Sequence, residues 1–282
     1  FSFTGKGGEY FKIWIVNIFL SILTLGIYSS WAKVRTRRWF YAHTQVDGQA
    51  FMYLAEPKQL LKGHLIAWVA FVTYALSIQF LPLLGGALLM VVVIASPWLM
   101  VASLRFNARM SAFRGIRFDF TGSVSEAYKV YLWWPLLLLP TLGLILPYLS
   151  FRSTEFALNH TRYGNTSVCF DGDLKSFQKV YLKAFAWLLA PLVLGVAVYM
   201  LRETRPVLAL VALAVAPIAV YALMLFVGSY LTAHLRNLTY NNTRIGPVNF
   251  ESRLHAGRLS WLFISNVFLM AITLGLFYPW AR

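Results

Sequence analysis

Thr24-Leu25-Gly26-Ile27-Tyr28, Thr141-Leu142-Gly143-Leu144-Ile145 and Thr273-Leu274-Gly275-Leu276-Phe277 are three forms of one motif, each placed late in an apolar run. The motif decides the fold for two reasons. It shows that the chain repeats itself, and it puts a helix breaker inside segments long enough to enter a bilayer. At a spacing of 117 residues, Phe3-Thr4-Gly5 falls on Phe120-Thr121-Gly122, Glu9 on Glu126 and Lys12 on Lys129. In the same register Arg35 falls on Arg152 and His43-Thr44 on His160-Thr161. At a spacing of 249, Asn17 falls on Asn266, Trp31-Ala32 on Trp280-Ala281 and Lys33 on Arg282. The third copy stops there, so the chain reads as trimmed at both ends.

Around the motif lie seven apolar segments, near 11–31, 63–83, 84–104, 128–150, 180–201, 206–233 and 259–280. A helix needs about 20 such residues to cross the hydrocarbon core. With 59% hydrophobic and 12% charged residues, the 282-residue chain carries half the charge of a soluble domain, which excludes an ordinary soluble enzyme and a disordered chain alike. The fold class expected is an all-α polytopic membrane protein. Its three-segment units are 1–119 and 120–249, with a truncated copy at 250–282 and short, hairpin-like interfacial loops. The loops share a pattern of Thr or Ser, then Gly, then Phe: Thr44, Gly48, Phe51; Ser111, Gly115, Phe118; Thr161, Gly164, Phe170; Thr243, Gly246, Phe250.

The net charge of +15 lies between the apolar runs, so the partner it selects is an anionic lipid surface and not nucleic acid. Charge also bears on topology. If all seven segments cross, Lys and Arg divide 11 against 14 between the two faces. If the Thr-Leu-Gly segments turn back, the division is 23 against 2, a bias of the kind that orients membrane proteins. Plain length favours crossing for residues 11–31, so both topologies stay open.

Phe3-Thr4-Gly5…Gly8-Glu9-Tyr10, Thr24-Leu25-Gly26-Ile27-Tyr28…Trp31-Ala32-Lys33-Val34-Arg35…Arg38 and His43-Thr44…Asp47-Gly48 resemble the YjgN family of bacterial inner-membrane proteins, a family of unknown function. The resemblance covers nearly the whole chain. The second copy departs from it, with Tyr148-Leu149-Ser150 in place of Trp-Ala-Lys. The resemblance implies a multi-pass protein of the bacterial inner membrane and no particular activity. It also implies a possible partner, a membrane zinc metallopeptidase.

The mid-segment polar and glycine residues are candidates for a substrate path: Asn17, Thr24, Gly26, Thr141, Gly143, Asn266, Thr273 and Gly275. The alternative for the two Asn is an interhelical hydrogen bond, and for the glycines close packing or a helix end. Trp31, Lys33, Arg35, Arg37, Arg38, Arg105 and Arg109 combine aromatic and basic side chains and are candidates for lipid headgroups. Glu9 and Glu126 stand three residues before Lys12 and Lys129 at segment entries, which suits a helix-surface ion pair or stabilisation of a helix N-terminus. His43, His64, His160, His234 and His255 fall in no metal-binding spacing, Cys169 is the only cysteine, and no nucleophile elbow or phosphate loop occurs. The chain is therefore expected not to be an enzyme and to need no cofactor or metal. Two functions follow: transport or handling of a neutral or lipid-like substrate without coupling to buried charges, or a non-enzymatic scaffold for a membrane partner such as the metallopeptidase.

Overall fold

The computed structural model describes residues 1–282, with the side chain of Arg202 outside the description. Four stretches are helical and apolar enough to cross a membrane: α3 (Pro57–Phe80), α4 (Pro82–Arg109), Leu174–Leu201 and α10 (Pro206–Asn241). At 1.5 Å per residue the 24 residues of α3 extend about 36 Å, against about 30 Å of hydrocarbon. α3 and α4 form one hairpin turned at Pro82, and α10 follows Leu174–Leu201 in a second, turned at Pro206. Proline suits these turns because a first helical residue needs no N–H partner.

The Thr-Leu-Gly segments do not continue as single helices. α1 (Gly7–Leu23) ends at the first motif, and α2 (Ser29–His43) starts five residues later. The second segment is interrupted more often. It has α5 (Val124–Tyr128), a π-helical turn at Lys129–Trp133, α6 (Trp134–Leu136) and, after the motif, α7 (Leu146–Asn159). The widened turn stands directly before Pro135, which has no N–H and whose ring excludes an ordinary α turn. Leu174–Leu201 comprises α8 (Leu174–Leu188) and most of α9 (Ala190–Thr204). The third motif lies between α11 (Ala256–Ile272) and α12 (Tyr278–Ala281).

The fold is helical but not all-α, which corrects the sequence expectation. Nine short strands are hydrogen-bonded in chain order: β1 (Ser2–Phe3), β2 (Thr44–Val46), β3 (Gln49–Tyr53), β4 (Ser111–Phe113), β5 (Ile116–Phe120), β6 (Thr161–Tyr163), β7 (Thr166–Phe170), β8 (Thr243–Ile245) and β9 (Val248–Asn249). The hairpin loops do form, with Gly48, Gly115, Gly164 and Gly246 at positive φ. Within the order each hairpin edge pairs with the next instead of facing water, which leaves open edges at β1 and β9.

Packing divides the chain into two compact units. One holds Phe1–Leu136, Asn159–Val168 and Pro279–Arg282; the other holds Leu137–Leu158 and Cys169–Tyr278. In the first unit, Phe51 pairs with Phe113 across β3 and β4, and Phe118 with Tyr163 across β5 and β6. The α3–α4 hairpin and the segment from Thr121 to His160 therefore each leave the sheet and return to it. Val34, Tyr53, Ala55 and Leu60 form a buried cluster beneath these strands, covered by Tyr41, Phe106 and Met110. In the second unit, the N–H of Asp171 donates to the carbonyl of Asn242 at 2.9 Å, and the Asp171 carboxylate meets Arg244 at 3.1 Å.

Candidate functional site

The hydroxyl that opens each hairpin does a local job first. Thr44, Ser111 and Thr243 donate to the carbonyl four residues earlier, at Phe40 (2.8 Å), Asn107 (2.8 Å) and Thr239 (2.6 Å). Each satisfies one carbonyl orphaned at the helix end and releases the chain into a strand. Phe51 and Phe118, which follow Gly48 and Gly115, then face the neighbouring hairpin. Phe51 and Phe113 have ring centroids 4.7 Å apart, and Phe118 and Tyr163 5.0 Å. Such pairs are worth about 0.5–1.5 kcal/mol beyond the area they bury.

These elements line an open pocket of about 550 Å³ in the first unit. Phe40 and Tyr41 of α2, Leu104, Asn107 and Ala108 of α4, and Phe51, Phe118 and Phe120 of the sheet line it, with Phe1, Thr44, Ser111 and Thr161. Its size is that of a small-molecule site. The polar atoms of its wall are largely engaged. Ser111 gives its proton to Asn107 O, so Tyr41, 2.9 Å from Ser111 Oγ, must be the donor of that pair. Thr44 donates to Phe40 O; Asn107 Oδ1 accepts from Arg37 at 2.6 Å, and its Nδ2 donates to Ser103 at 3.3 Å. What these residues offer a guest is ring faces and hydrocarbon.

Basic side chains surround the hairpins. Arg109 binds Asp119 at 2.9 Å, and Arg114 meets Asp47 at 3.6 Å. The Arg109 hydrogen bond holds the Asp119 carboxyl below the ordinary carboxylate range, against a smaller desolvation that raises it.

The candidate path residues lie away from this cavity. Asn17 is buried in the α1–α2 hairpin, where its Nδ2 donates to Ala32 O at 3.4 Å and to Thr36 Oγ1 at 3.3 Å, while Oδ1 has no hydrogen-bond partner. Asn266 is half-buried on α11. Thr24, Thr141 and Thr273 close the turns, donating to Leu20 (2.7 Å), Leu137 (2.5 Å) and Leu269 (2.7 Å). Gly26, Gly143 and Gly275 have φ of 90°, 83° and 87°, open to glycine and strained for other residues.

Of the headgroup candidates, Lys33 and Arg35 are exposed and Trp31 stacks on Tyr28 at 6.2 Å. The others brace the fold. Arg37 donates to Tyr53 Oη (2.9 Å) as well as Asn107, and Arg38 to Ala55 O (2.9 Å). Arg105 reaches Phe120 O and Gly122 O, each at 3.4 Å, and Arg109 is held by Asp119.

Two features escaped the sequence reading. The cavity was foreshadowed only by the recurring phenylalanines. Glu9 and Glu126 stand in the first turns of α1 and α5, one of the two places the spacing suited, and they also face His43 (3.9 Å) and His160 (3.2 Å), which the spacing to Lys12 and Lys129 did not suggest. All four residues keep the 117-residue spacing, which was the available signal. Among the described residues no three His, Cys, Asp or Glu converge as metal ligands would.

Four helices long and apolar enough to cross a bilayer, with basic residues gathered in the connecting segments, define a helical membrane protein. The chain belongs to a family described as bacterial protein of unknown function (DUF898), whose model matches residues 1–282. It is similar to the inner membrane protein YjgN of Salmonella typhimurium, with 27% identity over 99% of this chain and 84% of that protein. It is also 30% identical to the YjgN proteins of Escherichia coli O157:H7 and K12, over 51% of this chain and 37% of theirs. No solved structure matches it.

Proposed function

We propose that this is a four-pass protein of the bacterial inner membrane that binds the apolar part of a lipid-like molecule in the aromatic cavity at its basic face. The observation that carries the reading is the cavity wall: the hydroxyls of Tyr41, Thr44 and Ser111 spend their protons inside the protein, so a hydrogen-bonding guest gains little there. A hydrocarbon guest loses nothing. The concentration of Lys and Arg outside the two short turns, 23 of 25, supports a cytoplasmic position for the loops that carry the hairpins. A tail arriving from the bilayer has already left water, so the gain of about 0.8 kcal/mol per buried CH₂ applies only to amphiphiles taken from the aqueous side. For a membrane lipid, ring contacts and headgroup charge set the preference. Binding, and not catalysis, is the proposed role.

The test is photocrosslinking of the full chain in proteoliposomes with a phospholipid bearing a diazirine on its acyl chain. Crosslinks are expected on peptides containing Phe40-Tyr41 and Phe118-Phe120, and Ala108→Trp, which fills the cavity, is expected to reduce them at least about fivefold. Crosslinks confined to α3, α10 and the part of α4 before Leu104, and unchanged by Ala108→Trp, refute it.

The scaffold role, with a membrane metallopeptidase as partner, is the second proposal. It finds support in β9, an exposed strand at the end of the strand order that another chain can extend. A partner that co-purifies and is lost on Val248→Pro favours it; unchanged recovery sinks it.

A further inference from the structure

We infer that each Thr-Leu-Gly turn is a wedge inserted into one leaflet, so that the seven apolar segments make four crossings and three leaflet insertions. The inference begins with an unusual choice of residue. After α1, Gly26 N–H bonds to Ser21 O (2.7 Å) and Leu25 N–H to Ile22 O (3.1 Å). This is the two-bond helix ending that ordinarily places glycine or asparagine first in the left-handed region. Here that place is taken by leucine, with φ of 49°, 49° and 51° at Leu25, Leu142 and Leu274. Leucine rarely adopts this conformation. Yet these leucines touch almost nothing: they are 95%, 92% and 93% exposed. A strained, exposed apolar residue used three times at a turn tip requires an apolar surrounding outside the protein.

The backbone is built for that surrounding. In hydrocarbon an unpaired amide costs too much to leave open. Every N–H from Thr24 to Ser29 is bonded within the turn, Tyr28 to Thr24 Oγ1 at 2.9 Å among them. The third turn repeats this from Thr273 to Tyr278, with Phe277 donating to Thr273 Oγ1 at 3.0 Å. In the second, Thr141, Leu142, Gly143 and Leu144 are bonded in the same way.

Depth follows from the charges. Lys33 lies four residues into α2, about 6 Å past the turn, and Arg152 six residues into α7, about 9 Å. Arg282 follows Leu274 by the same eight residues that separate Lys33 from Leu25. If these segments crossed and the tips emerged on the far side, the leucines would stand in water and the returning cations would lie in hydrocarbon. With the cations at the headgroups, the tips sit roughly 10 Å deep, within one leaflet of about 15 Å. For the first two turns the strand pairs β1–β2 and β5–β6 require entry and exit at one level. The occupant of the exposed tips is therefore the acyl-chain region of the leaflet on the basic side.

The experiment uses the full chain in proteoliposomes, carrying Cys169→Ser and one new cysteine at 25, 142 or 274. Each is labelled with bimane and exposed to acyl-chain doxyl lipids or aqueous iodide. Doxyl quenching with iodide protection is expected at all three, whereas Asp47→Cys in the first hairpin is quenched by iodide. Ile22→Cys and Ile27→Cys repeat the measurement should a tip variant fold poorly. Rapid reaction of position 25 with an impermeant maleimide from the side opposite position 47 overturns the inference, as does iodide quenching equal to that of position 47. Leu25→Gly separates anchoring from folding: it relieves the backbone and is expected to unfold no more readily in detergent, while Ile22→Cys becomes at least about threefold more accessible to iodide in the bilayer. Because no readout involves the cavity, failure here leaves the proposed ligand site intact, and the reverse holds as well.

Discussion

A β-carbon on Gly85 would lie 2.8 Å from the Cα of Ile78 and 2.9 Å from its N, whereas one on Gly86 would meet nothing within 4 Å. Neighbouring glycines at the start of one helix thus face opposite fates. Alanine at either position gains helix propensity, up to about 1 kcal/mol. At position 86 nothing opposes the gain, and Gly86→Ala is expected to stabilise by about 0.5–1 kcal/mol. At position 85 the obstacle is backbone, which cannot rotate aside. To restore ordinary contact, α3 and α4 must separate by roughly 0.6 Å at their closest approach, and overpacking of this kind costs about 1–3 kcal/mol. Gly85→Ala is therefore expected to destabilise by roughly 0–2 kcal/mol net, leaving a gap of about 1–3 kcal/mol between the two variants. The assay is reversible unfolding of the purified full chain in mixed micelles with increasing dodecyl sulfate, read by tryptophan fluorescence. Gly85→Ala as stable as Gly86→Ala, or more stable, would refute the claim that these helices touch backbone to backbone.

Arg37→Lys removes the guanidinium whose Nη1 donates to both Tyr53 and Asn107 and which lies 5.3 Å from the Tyr53 ring centroid. A cost of about 1–2 kcal/mol is expected, read as a lower melting temperature, and an unchanged melt counts against a structural role. For Asp119, the depressed folded-state pKa makes the Arg109 pair favourable above the unfolded value of about 3.9, and the contribution disappears as pH falls through the still lower folded value. With both side chains about half exposed, the pair is worth under about 1 kcal/mol and weakens with salt. Asp119→Asn is accordingly expected to be slightly less stable than the parent at pH 7, with the gap narrowing as pH falls below the unfolded carboxylate value. A gap independent of pH would show that the carboxylate charge is not what matters.

How far the sequence could be read depended on the range of the interaction. Breaks at Gly26, Gly143 and Gly275 were legible because a positive φ beside a helix end is a local requirement. The hairpins at Gly48, Gly115, Gly164 and Gly246 were legible for the same reason. Asn17 could be expected either to bond across helices or to line a path, and its contacts with Ala32 and Thr36 place it within its own hairpin. The cavity was hidden, because whether Phe51 and Phe118 face one another's neighbours or the solvent depends on strand register. Glu9 was drawn to Lys12 by helical spacing and to His43 by the pairing of β1 with β2, which no local rule contains.

Composition and periodicity alone determined that this is a membrane protein, where its long helices lie and that its basic residues collect around the loops. Those properties follow from the cost of each residue in hydrocarbon, which is nearly independent of its distant neighbours. Only the tertiary structure decided that α1 folds back on α2, that the hairpins zip edge to edge and that aromatic side chains from distant segments line one pocket. Each of these rests on backbone groups or rings far apart in sequence meeting in register, and a strand edge carries no record in its side chains of which other edge will satisfy it.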